Sequence, residues 1–198
     1  MRQAHQGWLR PTMPPTSPCR IVTERLVLRP TTPADADRAF HIQSNWEVAR
    51  MLRMASYPPD RDDIEAWFAG HGGEWAAGEA YRFAVEREGH VIGLTDIDEI
   101  ARREGELGYW FDRASWGQGY AFEAAQAVVR FAFRQIGLEE LRSGHAADNA
   151  ASGNVLLKLG FRPLDTVRVA SRSRGEDILQ QRYALAAPAH SPELGARP

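Results

Sequence analysis

The stretch Trp116-Gly117-Gln118-Gly119-Tyr120-Ala121 is the most informative part of this chain. It follows the strand-like residues 106–111 (ELGYWF) and opens an amphipathic segment that ends at Gly137. Two glycines at a strand-to-helix junction permit a positive φ and a close approach of the backbone to a ligand. The first amides of the helix then lack intrahelical partners and lie at the positive end of the helix dipole. The stretch therefore predicts a phosphate-binding loop made of backbone amides.

Two other classes of glycine loop fit these residues less well. A nucleotide-hydrolysing P-loop requires Gly-Lys-Ser or Gly-Lys-Thr, and the single lysine of the chain, Lys158, is not in such a triplet. A dinucleotide-binding loop requires Gly-x-Gly-x-x-Gly, and no third glycine follows Gly117 and Gly119 at that spacing. A tight turn without a ligand remains open from this loop alone.

A second motif lies at residues 148–161, which read DNAASGNVLLKLGF. Asp148 or Asn149 can cap a helix that ends at Gly160. The first turn carries Ser152 and Asn154, which a purely structural helix does not require. Capping would explain one of these polar residues but not all of them, so the motif favours a helix whose N-terminus binds a ligand.

Together the two motifs resemble the GNAT family of acyl-CoA-dependent N-acetyltransferases, and within it the Rim-type branch that acetylates ribosomal-protein N-termini. That branch opens with a phrase like residues 23–30 (TERLVLRP) and continues through a Gly-Tyr-Trp strand like 108–110. Its Asn-x-x-Ser…Gly-Phe helix is similar to residues 149–161. The resemblance covers about residues 21–186. It implies a mixed α/β fold in which about four helices flank a central mixed sheet of about six to seven strands.

The resemblance also implies where acetyl-CoA, the expected co-substrate, would bind. The pantetheine arm would lie along the strand before the loop, the pyrophosphate on the loop, and further contacts on the second motif. The implied contacts are Tyr109, Trp110, Phe111, Trp116, Gly117, Gln118, Gly119, Tyr120, Ala121, Asn149 and Asn154. For Trp116 two roles remain open, because the indole could cover the cofactor or pack beneath the loop.

Catalysis would need a proton donor for the departing thiolate and a base for the amine. Many relatives use a tyrosine as the donor, but Leu156 stands in its place here. Ser152 matches the serine proposed for this task in the Rim-type branch, with helix capping as the alternative. Glu106 lies near the family's usual carboxylate position and is the implied base. A nearby acidic cluster could hold an ammonium group or form a solvated turn: Asp96, Asp98 and Glu99.

Substrate choice in this fold usually involves the final hairpin, which here carries Arg172 and Arg174. Their guanidinium groups could grip an anionic part of the acceptor, or the arginines could simply be solvated. The acceptor itself is expected to be a protein N-terminus or a small amine that attacks the thioester directly in a ternary complex. The alternative is a non-catalytic acyl-CoA-binding sensor or regulatory module. A homodimer is compatible with either reading.

Composition limits the remaining classes. A chain of 198 residues suits one domain, and the net charge of −2 gives no reason to expect nucleic-acid or membrane binding. The lone Cys19 excludes an intramolecular disulfide, and six histidines show no metal spacing, so no metal is expected. No apolar stretch approaches 18 residues and no signal-peptide core is visible, which favours the cytoplasm. Proline-rich residues 1–20 and 187–198 predict flexible tails around a single domain at 21–186.

Hydrophobic patterns predict the elements between these tails. The opening elements are one strand at 21–29, a helix from Pro33 to about Trp46, and a second helix from about Asp60 that its glycines weaken or break. The later elements are a hairpin of 81–85 with 91–97, a strand at 106–111, the helix after the phosphate-binding loop, a strand at 140–147, the helix of the second motif, and strands at about 161–170 and 177–185.

Overall fold

Eight strands form one mixed sheet, in the order β1-β2-β3-β4-β5-β6-β8-β7. The computed structural model describes residues 19–188, so most of both predicted tails lies outside the described residues. The strands are β1 (Ile21–Val22), β2 (Val27–Pro30), β3 (Tyr81–Arg87), β4 (His90–Ala101), β5 (Glu104–Phe111), β6 (Glu140–Ala146), β7 (Arg162–Ser171) and β8 (Glu176–Ala186). The helices are α1 (Ala36–Gln43), α2 (Trp46–Ala49), α3 (Arg61–Ala77), α4 (Tyr120–Phe131) and α5 (Ala150–Leu159). The predicted mixed α/β class is confirmed, with slightly more strands and helices than predicted.

The extra strand arises at the start of the domain, where the prediction of one strand over 21–29 is wrong. The chain folds back on itself, because the Thr23 hydroxyl accepts the Leu26 amide at 3.1 Å and the Thr23 amide donates to the Leu26 carbonyl at 2.9 Å. Two short antiparallel strands, β1 and β2, result.

The extra helix arises because the helix predicted through Trp46 ends earlier. Asn45 has an extended backbone conformation (ψ 117°), and its side chain accepts the Glu47 amide at 2.9 Å. An asparagine in this position is an N-cap, so α1 ends at Gln43 and the short α2 begins at Trp46.

Helix α3 is continuous through its three glycines, so of the two predicted outcomes, a weakened or a broken helix, the break is wrong. Gly70, Gly72 and Gly73 lie on the exposed face, with no atom near their missing side chains. The opposite face buries Phe68 and Trp75. Burial of such side chains is worth about 1.5–3 kcal/mol each, which offsets the roughly 1 kcal/mol cost of each helical glycine.

The core lies on both sides of β3, whose first five residues are all buried. An aromatic group from three elements fills one side: Trp75, Tyr81, Phe83 and Phe131. Helix α4 packs there and connects β5 to β6, which pair in parallel from Glu104 only as far as Glu106. Beyond Glu106 the two strands separate, and this gap positions the site.

Candidate active site

The predicted phosphate-binding loop has the backbone conformation that its glycines predict. Gly117 has φ 75° and Gly119 has φ 82°, a region that favours glycine. Gly119 is the N-cap of α4, which begins at Tyr120. The first amides of α4 therefore point out of the helix at the positive end of its dipole. This geometry suits the binding of an anion by backbone amides alone.

Arg25 holds this loop from outside. Its Nη1 donates to the Gln118 carbonyl at 2.9 Å, and its Nε donates to the Glu123 carboxylate at 2.7 Å. The Thr23 hydroxyl donates to the same carboxylate at 2.6 Å. Although burial alone would raise it, these hydrogen bonds hold the pKa of Glu123 below its usual value. The turn after β1 is thereby tied to the first turn of α4.

The Tyr120 ring is buried beneath two guanidinium groups. Arg25 lies 4.7 Å and Arg87 5.3 Å from the ring centroid. Because the side chain is enclosed, Tyr120 can contact a ligand only through its backbone amide. The same holds for Ala121, whose side chain carries no polar group.

The free edge of β5 begins where its pairing with β6 ends, after Glu106. The Asp112 amide donates to the Ile92 carbonyl at 2.8 Å. Since hydrogen-bonded pairs alternate along an antiparallel ladder, the backbone groups of Tyr109 and Phe111 point away from β4. They face the gap between β5 and β6. An extended ligand could add to this edge through the backbone, as predicted for the pantetheine arm.

Trp116 packs beneath the loop. Its indole Nε1 donates to the Phe111 carbonyl at 2.9 Å, and the Arg113 guanidinium lies 4.8 Å from its ring. These contacts support the packing alternative over a role in covering a ligand. The Phe111 side chain is buried in the core and Trp110 packs against a second cluster near α1 and α3.

Helix α5 places Ser152 in the gap, and Asn149 performs the capping. The Asn149 side-chain oxygen accepts the Ser152 amide at 3.2 Å. The Ser152 hydroxyl lies instead 2.8 Å from the Tyr109 hydroxyl. This geometry disfavours the capping role for the Ser152 hydroxyl. Asn154, the fifth residue of α5, is exposed, and Leu156 is fully buried in the core.

A cavity of about 580 Å³ opens at this point. Residues 51–56, between α2 and α3, cover one side of it, and the other walls come from α3, β4, β5, β6 and the start of β8. Apolar and polar groups both line it, among them Met51, Met54, Trp67, Glu99, Glu106, Tyr109 and Ser152. The cavity therefore brings together the predicted acid, the predicted base and the β5 edge.

Glu106 is half-buried in this cavity. Burial, and then the charges of Glu99 and Asp98, raise the pKa of its carboxyl, while Arg53 opposes them. A carboxylate with a raised pKa is a better proton acceptor near neutral pH. The surroundings of Glu106 thus suit a general base.

Arg82 occupies two carboxylates of the predicted ammonium-binding cluster. It is buried and contacts Asp96 at 2.5 Å, Asp98 at 3.1 Å and Glu74 at 2.8 Å. Burial raises the pKa of Asp96, and Arg82 opposes this shift. Gly108 is required here, because a Cβ would lie 2.3 Å from the Asp96 carboxylate. Asp96 and Asp98 therefore pair with the buried arginine. Glu99 and Glu106, which also line the cavity, are the carboxylates better placed to contact an amine.

The two hairpin arginines connect the hairpin to the residues that cover the cavity. Arg174 is largely buried and donates to both Asp148 carboxylate oxygens (2.8 and 3.0 Å) and to the Arg50 carbonyl (2.8 Å). The Arg172 amide donates to the Arg53 carbonyl at 2.8 Å, and its half-exposed guanidinium contacts Asp63 at 2.6 Å. Of the two predicted substrate contacts, Arg172 alone lines the cavity.

Three parts of the site were not predicted from the sequence. These are the contacts of Arg25 with the loop, the ion cluster around Arg82 and the hydroxyl of Tyr109. Arg25 lies within residues 23–30, the stretch that resembles the Rim-type opening. That resemblance marked the stretch as part of the domain but did not indicate that Arg25 contacts the loop. Among residues 19–188 no cluster of His, Cys, Asp and Glu has the arrangement of a metal site. No helix in that part of the chain is long and apolar enough to cross a membrane.

Residues 25–162 match the family described as acetyltransferase (GNAT) domain. The chain is 29% identical over 175 residues to an uncharacterized N-acetyltransferase, YoaA, of Bacillus subtilis, which covers 85% of this chain and 97% of that one. It is 25% identical over 158 residues to the ribosomal protein uS5 alanine N-acetyltransferase of Escherichia coli, covering 72% and 77%. Among solved structures, the fold is similar to RimL, a ribosomal L7/L12 alpha-N-protein acetyltransferase in complex with coenzyme A. Here the TM-score is 0.76 at 19% identity, covering 84% and 96%.

Proposed function

The chain belongs to the GNAT acetyltransferase family, and we propose that it transfers an acetyl group from acetyl-CoA to the α-amine of a protein N-terminus. It is an acetyl-CoA-dependent N-acetyltransferase, since acetyl-CoA is the co-substrate of this family. The observation that carries the finer proposal is the cavity at the split between β5 and β6. There Glu106 and Ser152 approach the free strand edge on which the thioester would lie.

Acetyl-CoA binding divides between two backbone surfaces. The pyrophosphate would rest on the amides that follow Gly117 and Gly119, at the start of α4. The pantetheine arm would pair with the edge of β5 at the backbone of Tyr109 and at the Phe111 amide, since the Phe111 carbonyl already accepts Trp116 Nε1. A Cβ at Gly119 would meet only the Arg25 guanidinium, at 3.4 Å, so the loop leaves room for a phosphate. At the start of α5, the Asn149 side-chain oxygen is occupied by the Ser152 amide. The Asn149 side-chain nitrogen and Asn154 would supply further contacts to acetyl-CoA.

The chemistry joins a base and an acid across the cavity. An N-terminal ammonium has a pKa of about 8, so a modest base suffices. Glu106 would take one proton, directly or through water, and the amine would attack the thioester carbon in a ternary complex. As the C–S bond breaks, its electron pair goes to sulfur, and Ser152 would supply the proton. The second proton of the amine nitrogen then restores Ser152. Overall, one proton is released for each amide formed.

A protein N-terminus is favoured over a small amine for two reasons. The cavity opens beside residues 51–56, where Met51 and Met54 offer an apolar wall for the residues that follow an acceptor amine. The relative at 25% identity is a ribosomal protein uS5 alanine N-acetyltransferase, so its acceptor is a protein. Glu99, which also lines the cavity, would attract the cationic amine of either kind of acceptor.

A panel of acceptors tests this function. CoA release would be measured with acetyl-CoA and peptides that start with alanine or serine, the same peptides blocked at the α-amine, polyamines and aminoglycosides. We expect release with the free peptides and none with the blocked ones. Faster CoA release with polyamines or aminoglycosides than with the free peptides would show that the acceptor is a small amine and not a protein N-terminus.

A further inference from the structure

The hydroxyl groups of Tyr109 and Ser152 form a pair that bridges β5 and α5. Their oxygens are 2.8 Å apart, and the Tyr109 oxygen also lies 3.2 Å from the Ser152 carbonyl oxygen. Both side chains line the cavity. The pair therefore sits where the thioester sulfur is expected, between the β5 edge and the first turn of α5.

Two hydrogen-bond arrangements are open to this pair, because each hydroxyl carries a single proton. In the first, Tyr109 donates to the Ser152 carbonyl and the Ser152 proton points at Tyr109. In the second, Tyr109 donates to the Ser152 hydroxyl oxygen, and the Ser152 proton is free for another acceptor in the cavity. Only the second arrangement lets Ser152 serve a departing thiolate.

We propose that Tyr109 is a positioning residue for acetyl transfer, a role that rests on the proposed function of Ser152. By donating to the Ser152 oxygen, the phenol turns the serine proton toward the sulfur. As the C–S bond breaks and its electron pair goes to sulfur, the Ser152 proton passes to the sulfur. The Tyr109 hydrogen bond then stabilises the charge that develops on the serine oxygen. The proton lost by the acceptor nitrogen restores Ser152, and Tyr109 keeps its own proton throughout.

The surroundings of Tyr109 suit a permanent donor. Burial raises the pKa of Tyr109 to about 12, against the opposing hydrogen bond with Ser152. The phenol therefore stays protonated across the pH range in which an amine acetyltransferase works. On α5, the buried Leu156 offers no hydroxyl at the place where many relatives carry a tyrosine. The phenol that contacts Ser152 is instead that of Tyr109, on β5.

A double-mutant cycle tests this role. Tyr109→Phe removes the hydroxyl and keeps the ring, and we expect kcat to fall by about 10²-fold, the effect of losing one donor to a developing charge. The KM for acetyl-CoA should stay within about twofold, because the Tyr109 backbone still forms the β5 edge. In a Ser152→Ala background the same change should have no further effect on kcat, because the two residues act as one unit.

Tyr183→Phe is the matched control, since Tyr183 is a buried tyrosine whose hydroxyl lies 3.2 Å from both His145 and Gln181. It should keep kcat, and melting temperatures of all variants report any loss of folding. A normal kcat in Tyr109→Phe would overturn the positioning role. So would a further fall of about 10²-fold in kcat when Tyr109→Phe is added to Ser152→Ala. A normal kcat in Ser152→Ala would exclude Ser152 as the proton donor and Tyr109 as its positioning residue. Acetyl transfer by the protein would still stand.

Discussion

Replacing Gly119 by aspartate should weaken acetyl-CoA binding about tenfold. The change adds a negative charge at the N-cap of α4, where the pyrophosphate is expected. The new Cβ would lie 3.4 Å from Arg25 Nη2, an ordinary contact, so the side chain fits without displacing the backbone. The φ of 82° adds strain of about 1–2 kcal/mol for a residue with a side chain. That strain affects free and bound protein alike.

The loss of affinity comes from repulsion. A carboxylate about 5 Å from a phosphate costs about 1 kcal/mol in water and about 3 kcal/mol at an effective dielectric constant of 20. The loop is exposed, so the lower half of this range applies. A tenfold weaker Kd corresponds to about 1.4 kcal/mol.

Calorimetric titration with acetyl-CoA measures this effect, and Gly160→Asp is the matched control. Gly160 has φ 92° at the end of α5, about 15 Å along the helix from its N-terminus. The control carries similar strain and the same charge but should bind acetyl-CoA normally. Equal affinities for both folded variants would refute the phosphate-binding role of the loop.

Three further changes test other parts of the site. Arg25→Ala should raise the KM for acetyl-CoA several-fold without changing kcat, because the Gln118 carbonyl loses its anchor; a changed kcat with normal KM would contradict this role. Glu106→Gln should abolish the acid limb of the kcat/KM profile against pH. In the wild-type protein that limb should have its midpoint above 4.5, the usual pKa of a glutamate, with activity rising as pH rises because the ionised form is the base; an unchanged limb in the variant would exclude Glu106. Arg174→Ala should lower the free energy of unfolding by about 1.5–3 kcal/mol through lost charged hydrogen bonds, and Arg172→Ala by less than about 1 kcal/mol because that pair is exposed. Both are read from denaturant melts, and a raised acceptor KM in Arg172→Ala would assign its guanidinium to substrate recognition.

The features that the sequence predicted well are encoded locally. Positive φ at Gly117 and Gly119, the start of α4 and the end of α5 at Gly160 each depend on a few neighbouring residues. The cap at Asn45 was also a local signal. It could have divided the first helix correctly, since asparagine is a strong N-cap and disfavours helix interiors.

The features that the sequence did not predict depend on residues far apart in the chain. Arg25 and Glu123 are separated by 98 positions, and Tyr109 and Ser152 by 43. No periodicity connects such pairs, because the sheet topology brings them together. The same topology places Arg82 beside Asp96 and Asp98. These carboxylates, which were predicted to hold an ammonium group, therefore belong to a buried ion cluster.

Intact-mass spectrometry of an acceptor peptide measures acetyl transfer most directly. A peptide that starts with alanine would be incubated with acetyl-CoA and the wild-type protein, with the Gly119→Asp variant as the control. We expect the wild-type protein to add one acetyl group to the α-amine and the variant to add far less at the same acetyl-CoA concentration. Tight binding of acetyl-CoA with no acetylated product from peptides, polyamines or aminoglycosides would contradict a catalytic role and indicate an acyl-CoA sensor.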